Sequence, residues 1–193
     1  MRCASVLAFL TLLLFIAACE ESEVKNKIAP FAPWQQRELA SLIEKAKKEY
    51  LKAYRAEDAS AARAARDKAI KAWLAQVPKV QGWLGRIHGV ETTMEGNLIV
   101  TIDCGDFAIR NVADGIDESS PRTNTVINME SALANQILEL LEGEFVLFDG
   151  IFICDGNGCI KELSLTEDGT MITPEFLMRF TRFVKWTPPG GAQ

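Results

Sequence analysis

The chain is poor in the residues that build reactive centres. Its 193 residues include one histidine, His88. A zinc site of the usual kind needs several His or Cys ligands, and no Cys-x-x-Cys pair is present to supply them. Phosphate-cradling loops are also missing: there is no Gly-x-Gly-x-x-Gly and no Gly-x4-Gly-Lys. Excess positive charge is lacking, with 21 Lys+Arg against 26 Asp+Glu and a net charge of −5. A globally basic nucleic-acid binder is thereby excluded. No apolar run reaches the roughly 20 residues that a membrane-spanning helix needs, which excludes a multi-pass membrane protein. Conversely, 48% apolar and 24% charged residues are the composition of a folded chain rather than a disordered tail.

What the sequence does contain begins with an address. Arg2 is followed by an apolar run from Val6 to Ala18, then Cys19. A charged start, a short apolar stretch and small residues make a secretory signal. Ile16-Ala17-Ala18-Cys19 resembles the bacterial lipobox: an aliphatic residue, two small residues, then cysteine. The resemblance implies diacylglycerol transfer to Cys19, cleavage before it and acylation of the new N-terminus, giving a membrane-anchored lipoprotein facing the periplasm. The alternative is an ordinary signal cut after Ala18, with Cys19 a plain thiol. Glu20 is not the aspartate associated with inner-membrane retention, which favours the outer membrane. Residues 19–33 then read as anchor and flexible tether, polar and punctuated by Pro30 and Pro33.

Between Trp34 and Val77 there is no glycine and no proline. Leu39, Leu42, Ile43, Ala46, Tyr50, Ala53 and Tyr54 recur at helical steps, and Ile70, Trp73, Leu74 and Val77 follow. The segment 34–78 therefore reads as helical, closed by Pro78. One straight helix of this length would span roughly 66 Å. A hairpin is the alternative, because Asp58 or Ser60 could cap a second helix. Charge divides the chain here. Residues 35–79 hold 11 Lys+Arg and 6 Asp+Glu, whereas residues 80–193 hold 7 and 17. A basic helical segment precedes an acidic domain, so it could dock on that domain or lie near anionic lipid.

The acidic part, 79–186, has strand periodicity. Val80–Glu91, Asn97–Asp103 and Phe107–Val112 read as strands, with a short addition at Thr125–Ile127. Ser131 can cap a helix whose stripe is Leu133, Ile137, Leu140 and Leu141. Glu144–Ile153 is a strand apolar on both faces, and Cys159–Leu165 reads as its return after the Asp155-Gly156-Asn157-Gly158 turn. Thr173-Pro174 is expected to open a C-terminal helix with Phe176, Leu177, Phe180, Phe183 and Val184 on one face. Residues 187–193 form a loose tail. Three strands, a helix and two strands is the chain order of the five-stranded oligonucleotide/oligosaccharide-binding (OB) barrel. The fold class is thus α+β: a long N-terminal helix or helical hairpin, then an OB-like barrel with an internal and a C-terminal helix.

Trp83-Leu84-Gly85, the run Leu140-x-x-Gly143-x-x-Val146-x-Phe148-x-Gly150, Glu162-Leu163-Ser164-Leu165-Thr166 and Pro174-Glu175-Phe176 are similar to a group of uncharacterised bacterial secreted proteins with OB-type domains. The similarity covers about 100 residues of packing and turn motifs. It implies a fold and carries over no catalytic residue.

Candidate chemistry is sparse. Cys154 and Cys159 flank a tight turn and are expected to form a disulfide in an oxidising compartment; two buried thiols are the alternative. Cys104 could be a buried thiol, a substitute partner or a nucleophile, but the one imidazole, His88, is expected at an exposed or rim position. Asp103, Asp106, Asp114, Asp117 and Glu118 crowd one region without calcium-loop spacing. Trp83, Phe107, Phe145, Phe148 and Phe152 read as core. No cofactor, metal or nucleic-acid partner is expected. The functional expectation is a non-catalytic, lipid-anchored envelope protein whose OB-like domain binds a protein, peptide, glycan or small ligand. A structural lipoprotein oligomerising through the helix is the alternative, and a cell-envelope enzyme the third reading.

Overall fold

The structure, a computed structural model, describes residues 23–54, 59–77, 79–111, 125–155 and 157–189. It opens with a helical turn, α1 (residues 23–28). Val24 and Ile28 stand one turn apart on α1 and are buried against Leu84, with Phe145, Leu147 and Trp186 packed around them. Residues 23–28, expected within the flexible tether over 19–33, are thus helical and packed on the barrel. Two apolar residues at i,i+4 suffice to make α1 adhere, too few to stand out as a pattern.

Helices α2 (Trp34–Tyr54) and α3 (Ser60–Leu74) follow. They form a hairpin, not one long helix. Leu39 and Ile43 from α2 and Ile70, Trp73 and Leu74 from α3 enter the same core. In a single straight helix these two groups would lie at opposite ends, and only one could reach the barrel. Farther out, Ala46 and Tyr50 meet Ala62 across the hairpin.

The strands are β1 (Val80–Thr92), β2 (Asn97–Asp103), β3 (Ala108–Arg110), β4 (Ile127–Asn128), β5 (Phe145–Phe152) and β6 (Glu175–Lys185). Two short helices, α4 (Ala132–Leu138) and α5 (Glu167–Ile172), lie between them. The sheet runs β1-β5-β6-β3-β2 and closes through β1–β2, while β4 extends it beside β2. All pairs are antiparallel except β3–β6, which is parallel. This is a closed, mixed five-stranded barrel of OB type with added helices. As expected, Ser131 caps α4, its Oγ accepting from the Ala134 amide at 3.1 Å.

One element changes type. The segment expected as a C-terminal helix is β6, and it takes the fifth barrel position that Cys159–Leu165 was expected to fill. Thr173 and Pro174 suit a helix start, but the segment is rich in aromatic and apolar residues that fit a pleated surface equally well. β6 is wedged between β5 on one side and β3 on the other. Tertiary pairing on both edges decides for the strand. Cys159–Leu165 is instead an extended segment held by isolated bridges, Cys154↔Ile160 and Glu162↔Phe176.

Trp83 is fully buried at the centre of the core and meets Trp73, Phe107, Phe148 and Phe152 at ring-centroid distances of 5.6–6.3 Å. Trp73 thus plugs the hairpin into the barrel. Two glycines mark close approach. A Cβ at Gly85 would fall 2.3 Å from Ile102 Cγ2, and one at Gly150 would fall 2.3 Å from Met178 Sδ. Side chains therefore pack over backbone there, as barrel closure requires.

Two buried amides finish the sheet where strands run out. β1 pairs with β5 as far as Arg86 and with β2 only from Arg86 onward. At Leu84 the second edge of β1 has no strand, and Gln36 of α2 takes its place. Gln36 Nε2 donates to Leu84 O at 2.5 Å, and Leu84 N donates to Gln36 Oε1 at 2.9 Å. Asn111, beyond the end of β3, accepts from Val100 N and donates to Leu98 O and Thr125 O. Buried backbone groups without such partners would cost about 1–3 kcal/mol each.

Candidate functional site

The β5–β6 connection, residues 153–174, is the longest described excursion from the barrel. It starts as a tight reversal in which Asp155 Oδ1 accepts from the amides of Asn157 and Cys159, both at 2.9 Å. The chain then runs beside the start of β6. Leu177 N donates to Lys161 O, Leu163 N to Glu175 O, and Glu175 N to Ser164 Oγ. Thr166 caps α5, its Oγ1 accepting from Gly169 N at 3.0 Å. Between this connection and the end of β3 lies a cleft of about 550 Å³. Its wall includes Arg110, Lys161, Leu163, Leu165 and Glu175. Leu165 is 100% exposed, an apolar side chain with nothing over it.

The helical hairpin fixes the connection from behind. The Arg66 side chain on α3 is 1% exposed and its NH2 lies 2.5 Å from Glu162 Oε1. Arg66 also faces the Phe176 ring at 5.9 Å and pairs with Asp67 at 3.0 Å. Glu162 Oε2 is buried with no hydrogen-bond partner among the described residues. Burial pushes the Glu162 carboxyl above the usual carboxylate range, opposed by Arg66 and by a hydrogen bond from Thr170. Tyr50 of α2 donates to Asp168 Oδ1 at 2.7 Å, and that bond raises its phenol pKa to about 12. Lys71 of α3 donates to Asn157 O at 2.5 Å. Three contacts from two helices thus hold one loop.

The cleft offers a guanidinium, an ammonium, a carboxylate and exposed aliphatic surface. Arg110 is only loosely engaged, 3.6 Å from Glu91. Ser164 and Thr166 accept backbone hydrogen bonds, so their hydroxyls serve the loop. The arrangement can hold a ligand by ion pairs and apolar contact.

The residues singled out in the sequence have the following places. Ile16, Ala17, Ala18 and Cys19 lie outside the described residues, as do Asp114, Asp117 and Glu118. Cys154 and Cys159 are free thiols rather than the expected disulfide. The register explains it: Cys154 pairs with Ile160, not Cys159, and adjacent residues of an extended pair face opposite sides. Cys159 Sγ turns towards Asp67 O on α3, at 4.0 Å. Cys104 is a buried core thiol whose pKa is driven well up by burial and by Asp103 and Asp106, the opposite of an activated nucleophile. His88 is exposed on β1. Asp103 pairs with Arg86 at 3.3 Å and Asp106 with Lys25 at 2.7 Å, so these acids tie elements together. Among the described residues no group of His, Cys, Asp and Glu could hold a metal ion, and no helix is long and apolar enough to cross a membrane. Phe145 is the exception among the expected core aromatics, joining the satellite cluster at α1.

Sequence reasoning passed over Arg66, Gln36 and Arg110. Arg66 stands in an alanine-rich helix among other cations, where nothing local separates a buried arginine from a solvated one. No family model matches the chain, and neither does any curated protein or solved structure. The class is therefore set by architecture: an OB-like barrel with a helical hairpin locked onto its β5–β6 connection.

Proposed function

We propose that this chain is a non-catalytic, lipid-anchored envelope protein that binds a peptide, glycan or small ligand in the cleft between β3 and the β5–β6 connection. The observation that carries the reading is the cleft itself. It sets Arg110, at the end of β3, opposite Lys161 and the uncovered Leu165, which lie on a loop held in place by Arg66 and Tyr50. A loop fixed from behind and open in front loses little entropy on binding. The lipobox-like Ile16-Ala17-Ala18-Cys19 supports the anchor. The alternative, a structural protein oligomerising through its helices, is less favoured because the apolar residues of α2 and α3 are largely spent inside the hairpin and on the barrel.

The test is capture of bound material from envelope fractions by the wild type and by Arg110→Ala and Leu165→Asp variants. Loss of about tenfold in retained ligand, the order expected for one good ionic or apolar anchor, supports the cleft. Equal capture by all three proteins refutes it. A Cys19→Ser variant should be released from the membrane and retain the same ligand.

A further inference from the structure

We infer that the aromatic cluster of Phe31, Trp34 and Trp186 around α1 is the face that this protein lays on the phospholipid bilayer. The inference rests on the lipid-anchor reading and adds to it an orientation and a contact surface.

The first observation is the length of the leash. Only four residue steps separate Cys19 from Glu23, the first described residue, which is already helical. Fully extended, four residues reach at most about 14 Å. Val24 is then buried against Leu84 of the barrel wall. A lipid on Cys19 thus keeps this part of the barrel close to the headgroups, instead of letting it drift on a long tether.

The second observation is what surrounds that point. Phe31 is 49% exposed and Trp34 57% exposed, three residues apart at the entry to α2. The Phe31 ring lies 5.6 Å from that of Trp186, and Trp186 lies 6.2 Å from Phe145. Lys27 stands 5.5 Å over the Phe145 ring. Exposed large aromatics are costly in water. Tryptophan beside a cation is the composition that settles at a headgroup boundary, where the ring finds apolar surroundings and its N–H stays wet. Two of the four tryptophans, Trp73 and Trp83, are buried; Trp34 is exposed three residues after Phe31, and the partly buried Trp186 touches the Phe31 ring.

The third observation is direction. Trp186 follows the end of β6, whereas Glu175, in the cleft wall, begins it. The eleven residues of β6 cover roughly 35 Å along the strand. With the aromatic cluster on the bilayer, the cleft opens at the far end of β6, towards the aqueous side. A bilayer fits this cluster better than a protein partner does, because the anchor already brings lipid within reach.

The test uses the full lipidated protein in vesicles of phosphatidylcholine and phosphatidylglycerol, with or without bromine on the acyl chains near the carbonyl. Brominated vesicles should quench up to about half of the tryptophan emission, the share of Trp34 and Trp186 if each ring contributes equally. Quenching should vanish in a Trp34→Phe/Trp186→Phe variant whose near-ultraviolet circular dichroism shows an intact core. Mass spectrometry of the same samples reports the lipid on Cys19. Lipidated protein with equal emission in both kinds of vesicle overturns the membrane face and leaves the anchor standing. Protein without lipid on Cys19 that fails to sediment with vesicles overturns both.

Discussion

Glu162 is a carboxyl whose burial opposes its charge. Burial raises its carboxyl pKa, and Arg66 only partly compensates. The folded state therefore keeps a proton that the unfolded state has released. Stability contributed by this group falls as pH climbs from the ordinary carboxylate value towards the raised one. Glu162→Gln does not titrate, so the stability of wild type minus that of the variant should fall as pH rises above the ordinary carboxylate range, measured by urea unfolding. A constant difference would contradict the assignment. Arg66→Ala should be far more harmful, about 3–5 kcal/mol, because it leaves a buried carboxylate without its cation. The thiols give a second residue-scale expectation. In a 20–193 fragment, Cys154 and Cys159 should react with a thiol reagent in the native state, slowed by their raised pKa values, and Cys104 only on unfolding. Two unreactive sites before reduction would restore the disulfide. At this scale the sequence was readable where a residue acts on its own neighbours, as with Ser131 and the α4 amides. It was unreadable where the partner is distant: Gln36 meets Leu84 and Arg66 meets Glu162 only because the chain has folded back.

Among elements, the hairpin and the barrel depend on each other. Trp73 of α3 packs on Trp83 of β1 at 6.1 Å and on Phe152 of β5 at 5.9 Å. Trp73→Ala should destabilise by about 3–5 kcal/mol, with the barrel and helical signals unfolding together in denaturant. Separate transitions would mean two independent units. Asn97–Asp103 matched β2 to the residue, because alternating burial on a half-covered strand is a local signature. β6 was read as a helix because Phe176, Phe180 and Phe183 follow helical steps of four and three; in the strand a register shift between Phe180 and Arg182 returns Phe183 to the buried side, and the free edges of β3 and β5 decide for it. The break between α2 and α3 was legible only as an alternative: by sequence Asp58 or Ser60 could cap a second helix, but α3 starts after Ala59 with no side-chain cap, and Ser60 is already inside it.

For the whole molecule, the closed barrel leaves few free sheet edges, and closure is completed by Gln36 rather than by another chain. The stripes of α2 and α3 face each other and the core. The 20–193 fragment should therefore sediment as a monomer at high concentration, and a stable dimer would revive the oligomeric reading. Charge segregation acts at the same scale. The basic hairpin sits on the acidic barrel through Arg66–Glu162, while Lys25 ties α1 to Asp106 and to Glu44 of α2. These pairs hold loops and register more than they add stability, because most are partly exposed and screened.

The sequence by itself determined the alternation of the first strands, the capped α4 and the α+β class, and it carries the lipobox-like run on which the anchor proposal rests. These depend on composition and short periods, which neighbours in the chain decide. Only the tertiary structure decided that 34–74 folds back, that 175–185 is a strand, that residues 23–28 grip the barrel, and that Cys154 faces away from Cys159. Each of those depends on what lies across a gap in space: an open strand edge, a facing core, a register. A local pattern permits several such partners, and only the closed barrel selects one.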